Sequence, residues 1–131
     1  MPHSGGRVGA GIYLADQHAK SAGYCRAARA PDGRTSIIMF LVEAALGNEH
    51  TILQDDWTLK KPPAGFDSVV ARGTVEPDPF KDATMKIDGK DVKVPQSKEV
   101  KTGRSSSFHH NEFLVYNEAQ HRIRFVLRFV Q

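Results

Sequence analysis

Among 131 residues there is one cysteine, Cys25. That excludes an internal disulfide framework and a cysteine-built zinc site. It favours a reducing compartment, cytosol or nucleus. Long hydrophobic runs are missing as well. The most apolar stretch, Ile37 to Leu46, is broken by Glu43 and falls short of the roughly 18 apolar residues that cross a bilayer. Met1 is followed by Pro, His, Ser and two glycines, which offers no hydrophobic region of a signal peptide. There is no internal repeat, no nucleophile elbow and no phosphate loop. Gly6, Gly9 and Gly11 have the wrong order of spacings for a dinucleotide fingerprint, and no expected strand precedes them.

What is present is ordinary for one globular domain: 40% hydrophobic and 25% charged residues. The net charge of +3 is mildly basic. The lysines at 81, 86, 90, 93, 98 and 101 alternate with Asp82, Asp88, Asp91 and Glu99. This reads as a solvated surface. A nucleic-acid groove clusters its basic residues and interleaves aromatics, whereas Phe80 stands only at the edge of this segment.

The elements are mostly short strands. Met1 to Gly11 reads as a glycine-rich loop and Ile12 to Leu14 as a strand. Asp16 is expected to cap a helix running to about Tyr24, with Asp16 and Lys20 paired four residues apart. Arg26 to Arg34 is a loop around the turn signal Pro31-Asp32-Gly33. Ser36 to Ala45 reads as a buried strand, and His50 to Lys61 fits no single element. Asp67 to Arg72 is a short strand, and Pro77 and Pro79 mark a loop. Met85 to Ile87 and Val92 to Val94 form a hairpin across Asp88 to Asp91. Pro95 to Ser107 reads as loop. Glu112 to Asn117 is a strand, and Asn117 to His121 a tight connection. The closing strand, Arg122 to Val130, alternates Ile123, Phe125, Leu127 and Phe129 against Arg122, Arg124 and Arg128. The fold class is α+β, mainly antiparallel sheet with one short helix.

Two places carry candidate chemistry. In Gly9 to Cys25, the helix puts Lys20, Ser21 and Tyr24 on one side. A phenol ring, a hydroxyl and an amine beside a glycine-rich loop suit a flat polar heterocycle, although a tyrosine at a helix end also serves as packing. The second is Glu112, a carboxylate on the strand face of Leu114 and Tyr116. Burial of such a group calls for a partner or a function; the alternative is a glutamate at a strand edge in water. His109 and His110 are adjacent, so in an extended strand they point to opposite faces. His3, His18, His50 and His121 have no ligand spacing, and no metal is expected. Cys25 follows a helix end and reads as a buried residue rather than a nucleophile.

These residues also carry a resemblance. Gly11-Ile12-Tyr13-Leu14-Ala15 followed by Lys20-Ser21-Ala22-Gly23-Tyr24 resembles the nicotinamide-site signature of the poly(ADP-ribose) polymerase family. Asn111-Glu112-Phe113-Leu114-Val115-Tyr116 resembles that family's catalytic-glutamate strand. Gly65 to Gly73 and Glu76-Pro77-Asp78-Pro79 look most like the DNA-repair-associated branch that attaches single ADP-ribose units. Ala10 departs from the pattern, which usually has lysine between the two glycines.

The resemblance implies an NAD+-dependent ADP-ribosyltransferase that modifies protein side chains in the DNA damage response, in the nucleus and also the cytoplasm. NAD+ would be a co-substrate and protein side chains the acceptors; DNA would act through domains outside these residues, with no membrane partner. Glu112, Tyr13 and Lys20 would be catalytic: Tyr13 a member of the His-Tyr-Glu triad, Lys20 beside the ribose, Glu112 on the ribose 2′-hydroxyl. Gly11, Ser21 and Tyr24 would bind the co-substrate, Ser21 through the carboxamide and Tyr24 by stacking. Residues 1–131 would form the C-terminal part of the catalytic fold, with the triad histidine and first strands lying before Met1. On that expectation the chain alone binds NAD+ poorly. Two other readings stay open: a catalytically inactive module of the same fold, and a basic nucleic-acid-binding module.

Overall fold

The computed structural model describes residues 6–131; the start of the expected N-terminal loop, residues 1–5, lies outside them. Eleven strands and one helix follow in order. They are β1 (Ile12–Leu14), α1 (His18–Ala22), β2 (Ala28–Arg29), β3 (Thr35–Ala44), β4 (Glu49–Ile52), β5 (Ser68–Ala71) and β6 (Val75–Pro77). Then come β7 (Ala83–Ile87), β8 (Lys90–Val94), β9 (Glu99–Lys101), β10 (Glu112–Val115) and β11 (His121–Val130). The α+β class is as expected, and antiparallel pairing dominates.

The central sheet runs β1-β10-β5-β4. The pairs β1–β10 and β10–β5 are antiparallel, and β4–β5 is parallel. β4 falls in the stretch that fitted no element, because the alternation of Glu49-His50-Thr51-Ile52 is too short to stand out. β5 and the second half of β10 are buried. Val8, Val69, Ala71, Phe108 and Leu114 form the core, with Tyr13, Ile52, Leu59 and Tyr116 packed against it. Full burial of such side chains stabilises by roughly 1.5–3 kcal/mol each. This core therefore fixes the two strands that matter for the site, β1 and β10.

The second sheet, β11-β3-β2, departs from expectation. Of the apolar side chains in β3 only Met39 is buried; Phe40 is 57% exposed and Ile38 nearly as much. The regular alternation of β11 is also broken. A bulge between Ile123 and Phe125 inserts Arg124, so Ile123 changes face and lies opposite Val42. Arg124 uses the extra space to reach Glu43 at 3.2 Å and Asp88 at 2.8 Å. Phe125, Leu127 and Phe129 still share one face, opposite Leu41, Met39 and Ile37.

Two small ribbons complete the fold. β6 pairs with β9, both in stretches read as loop; Pro77 ends β6, where its missing N–H costs least. In the hairpin β7–β8, Ile87 pairs with Lys90, so the turn is two residues, Asp88-Gly89, not four. Both have positive φ, 51° and 76°, as a type I′ turn requires. The connection before β11 is a 3₁₀ turn, Glu118–Gln120. Asn117 accepts from Ala119, and Gln120 Oε1 accepts from the Asn117 N–H.

Candidate active site around Glu112

The antiparallel register places Tyr13 opposite Leu114 and Leu14 opposite Phe113. β10 is thus threaded between β1 and β5, with Glu112 at its first position beside Ala71. α1 follows β1 and bridges the two sheets. His18 stacks on Phe129 with ring centroids 6.3 Å apart, and Lys20 reaches back to Glu112. Lys20 Nζ stands 2.7 Å from Glu112 Oε1 and 3.4 Å from the Asn111 carbonyl. The side chains are 17% and 12% exposed. The second carboxylate oxygen, Oε2, is buried with no hydrogen-bond partner among the described residues. A buried acceptor is costly when unpaired, and no donor among the described residues satisfies this oxygen.

Lys20 was expected to pair with Asp16, and Asp16 to cap the helix; neither occurs. The helix starts one residue later, with Gln17 at its N-cap and no side-chain cap, and ends at Ala22, short of Tyr24. Asp16 points instead into the interior and accepts from Asn111 Nδ2 at 2.8 Å. Burial pushes the Asp16 carboxyl above its usual range, and the Asn111 hydrogen bond only partly opposes this. A raised folded-state pKa favours the fold below the unfolded value near 3.8 and loses that contribution as pH rises through the raised value. Asp16→Asn is therefore expected to remove a fall in stability that begins as pH rises above about 3.8. Melting curves of both proteins across that range check it; parallel curves would refute the assignment.

Asn111 is the residue that sequence reasoning missed. It is 1% exposed. Its Oδ1 accepts from the Gly73 N–H at 2.8 Å. Its Nδ2 donates to Asp16 and, at 3.2 Å, to Glu76 Oε2. The Arg104 hydrogen bond holds the Glu76 carboxyl below its ordinary range, with the Arg104 Nη1–Glu76 Oε2 distance at 2.9 Å. Asn111 thus ties three segments together immediately before Glu112. Its only signal in the sequence was its place next to that glutamate.

Tyr13 is turned toward the glycine loop. Its hydroxyl donates to the Gly9 carbonyl at 2.5 Å and accepts from the Val8 N–H at 3.3 Å. Burial pushes its phenol pKa up. Gly11 packs tightly on β10, where an added Cβ would lie 3.1 Å from Leu114 Cδ2 and 3.2 Å from Tyr116 Cε1. Ser21 is half-buried on α1, whereas Tyr24, just beyond the helix, is 80% exposed. No hydrogen bond joins Ser21 or Tyr24 to Glu112 among the described residues. Among the described residues the Tyr24 ring faces solvent rather than packing on the helix or sheets.

Cys25 is half-buried, with Sγ 3.4 Å from the Ser21 carbonyl. A cleft of about 400 Å³ lies on the Asn111 side of β10, lined in part by Asp16, Arg72, Glu76 and Arg104. It is not lined by Tyr13, Lys20, Ser21, Tyr24 or Glu112.

Over residues 1–131 the chain matches the poly(ADP-ribose) polymerase catalytic domain. The chain belongs to this family. Among curated relatives, the mouse protein mono-ADP-ribosyltransferase PARP3 is 52% identical over 129 residues. The human protein of the same name is 50% identical over 129 residues. The match takes in 97% of this chain and 24% of each of those two proteins. Poly [ADP-ribose] polymerase 1 of Xenopus laevis is 37% identical over 127 residues, 97% of this chain and 12% of its own length. The chain therefore spans about a quarter of the PARP3 proteins it matches. As a poly(ADP-ribose) polymerase catalytic domain segment, it has the strand-rich α+β architecture described above. None of its described helices is long and apolar enough to cross a membrane.

Proposed function

We propose that this chain forms part of an NAD+-dependent protein ADP-ribosyltransferase that attaches single ADP-ribose units. The observation that carries the reading is the Glu112 carboxylate, with one oxygen on Lys20 and the other buried and bare. A ribose hydroxyl is a donor of the kind Oε2 lacks, so the residues present fit the co-substrate. The high identity to relatives named mono-ADP-ribosyltransferases supports the single-unit outcome. The DNA damage response and a nuclear site of action, with the cytoplasm second, rest on the family alone.

In this reading Glu112, Lys20 and Tyr13 are the catalytic residues, and Gly11, Ser21 and Tyr24 hold the nicotinamide end of NAD+. The exposed Tyr24 ring offers a stacking surface, and the Ser21 hydroxyl a partner for the carboxamide. Tyr13 keeps the glycine loop against the pocket through Gly9 and Val8. The bond between nicotinamide nitrogen and ribose carbon breaks, and its electron pair leaves with nicotinamide. Positive charge develops on the ribose. The Glu112 carboxylate, held by Lys20, supplies the negative charge that stabilises it as it forms. An acceptor side-chain oxygen of a protein then bonds to the ribose carbon and releases its proton to water.

The basic-module reading is weaker. Lys86, Arg34, Arg122 and Arg124 are each engaged by a carboxylate, which leaves less free charge for a phosphate backbone. The test is nicotinamide release from NAD+ by the intact protein that carries these residues, together with Tyr24→Ala. Loss of one stacked ring costs about 1 kcal/mol. We expect KM for NAD+ to rise about fivefold with smaller change in kcat. No release by the wild type would overturn the function; release with an unchanged KM in Tyr24→Ala would overturn the stacking role.

A further inference from the structure

We propose that Glu99, His109 and His110 form a binding site for one Zn2+ ion, outside the candidate active site. One ring nitrogen from each histidine and a carboxylate oxygen of Glu99 all lie within 4.8 Å of one another. An extended backbone would send adjacent histidines to opposite faces. Here the chain bends at both residues, and the rings meet edge to face with centroids 4.5 Å apart. His110 Nδ1 is buried without a hydrogen-bond partner among the described residues and faces Glu99 Oε2 at 3.7 Å.

The bend is held by backbone rather than by the side chains themselves. The His109 carbonyl accepts from the Val75 N–H at 3.0 Å, and the Phe108 carbonyl accepts from the Thr74 N–H at 3.0 Å. Gly73 allows this approach, since a Cβ there would sit 2.4 Å from the His109 carbonyl oxygen. Thr74 Oγ1 lies 3.4 Å from His109 Nδ1, a hydroxyl able to orient that ring. Glu99 arrives on β9, which is paired to β6. The three donors are thus presented by two segments fixed in the same ribbon region.

Two imidazoles and one carboxylate suit a borderline first-row cation and leave a fourth tetrahedral position for water. Magnesium and calcium prefer all-oxygen sets. A bound ion would join β9 to the turn that leads, two residues on, into Glu112.

The intact protein is titrated with Zn2+ alone against a chromophoric chelator, and the Co2+ derivative is examined by visible absorption. One more Zn2+ per chain is expected in the wild type than in a His109→Gln/His110→Gln double variant, with Co2+ giving the strong bands of a tetrahedral site. Glu99→Gln, which replaces a charged ligand oxygen with a neutral one, should bind at least about tenfold more weakly. His50→Gln, in which the replaced residue meets Phe66 edge to face and is no member of the cluster, should bind as the wild type does. Melting temperatures verify that the variants are folded. Equal stoichiometry in wild type and double variant, or no binding below about millimolar Zn2+, would overturn the proposal.

Discussion

Glu112→Gln is expected to lower kcat for ADP-ribose transfer by about 10²–10³-fold, the range found when one preorganised electrostatic contact to a transition state is removed. The substitution keeps size and one acceptor oxygen but removes the charge. Lys20, its side chain 17% exposed, would then stand beside a neutral amide, still able to donate to it and to the Asn111 carbonyl. The fold should therefore survive, and the loss should fall on turnover more than on KM. Single-turnover nicotinamide release by the intact protein separates these quantities. Turnover within a few fold of wild type would remove Glu112 from the chemistry.

Asn111→Leu should cost about 4 kcal/mol of stability. Three groups lose their partner together: the Gly73 N–H, the Asp16 carboxylate and one bond to Glu76. An unsatisfied buried polar group costs roughly 1–3 kcal/mol. Glu76 retains Arg104 and contributes least. Asn111→Asp should be damaging too, for a different reason. It preserves the acceptor for Gly73 but places a third carboxylate against Asp16 and Glu76. Denaturant unfolding of the catalytic domain measures both. A loss below about 1 kcal/mol in Asn111→Leu would show that the network does not anchor β10.

The candidate residues could be picked out of the sequence because they lie in short local patterns. Lys20, Ser21 and Tyr24 lie within five residues, although α1 ends at Ala22 and Tyr24 stands beyond it, and the alternation Glu112-Phe113-Leu114 aims the glutamate along an apolar strand. The pairing of Lys20 with Glu112 was not legible. It spans 92 residues, and helix spacing favoured the local partner Asp16. Burial decided otherwise: Asp16 is drawn to the buried Asn111, which leaves Lys20 for Glu112.

The same distinction runs through the fold. The β7–β8 hairpin rests on Asp88-Gly89, a local signal, and only its turn length was overestimated. The parallel pairing of β4 with β5 and the β6–β9 ribbon depend on contacts between distant segments, so neither had a local signature. In β11 the side-chain alternation was regular, but one inserted residue, Arg124, moved Ile123 to the opposite face. The two histidines follow the same rule: a period-two reading sends them apart, and the backbone contacts of Thr74 and Val75 bend them together.

The most direct test is a crystal structure of the intact protein with a non-hydrolysable NAD+ analogue. The account predicts the nicotinamide ring stacked on Tyr24 and a ribose hydroxyl within about 3.2 Å of Glu112 Oε2, with Lys20 still on Oε1. An analogue bound elsewhere, with Oε2 left bare, would contradict it.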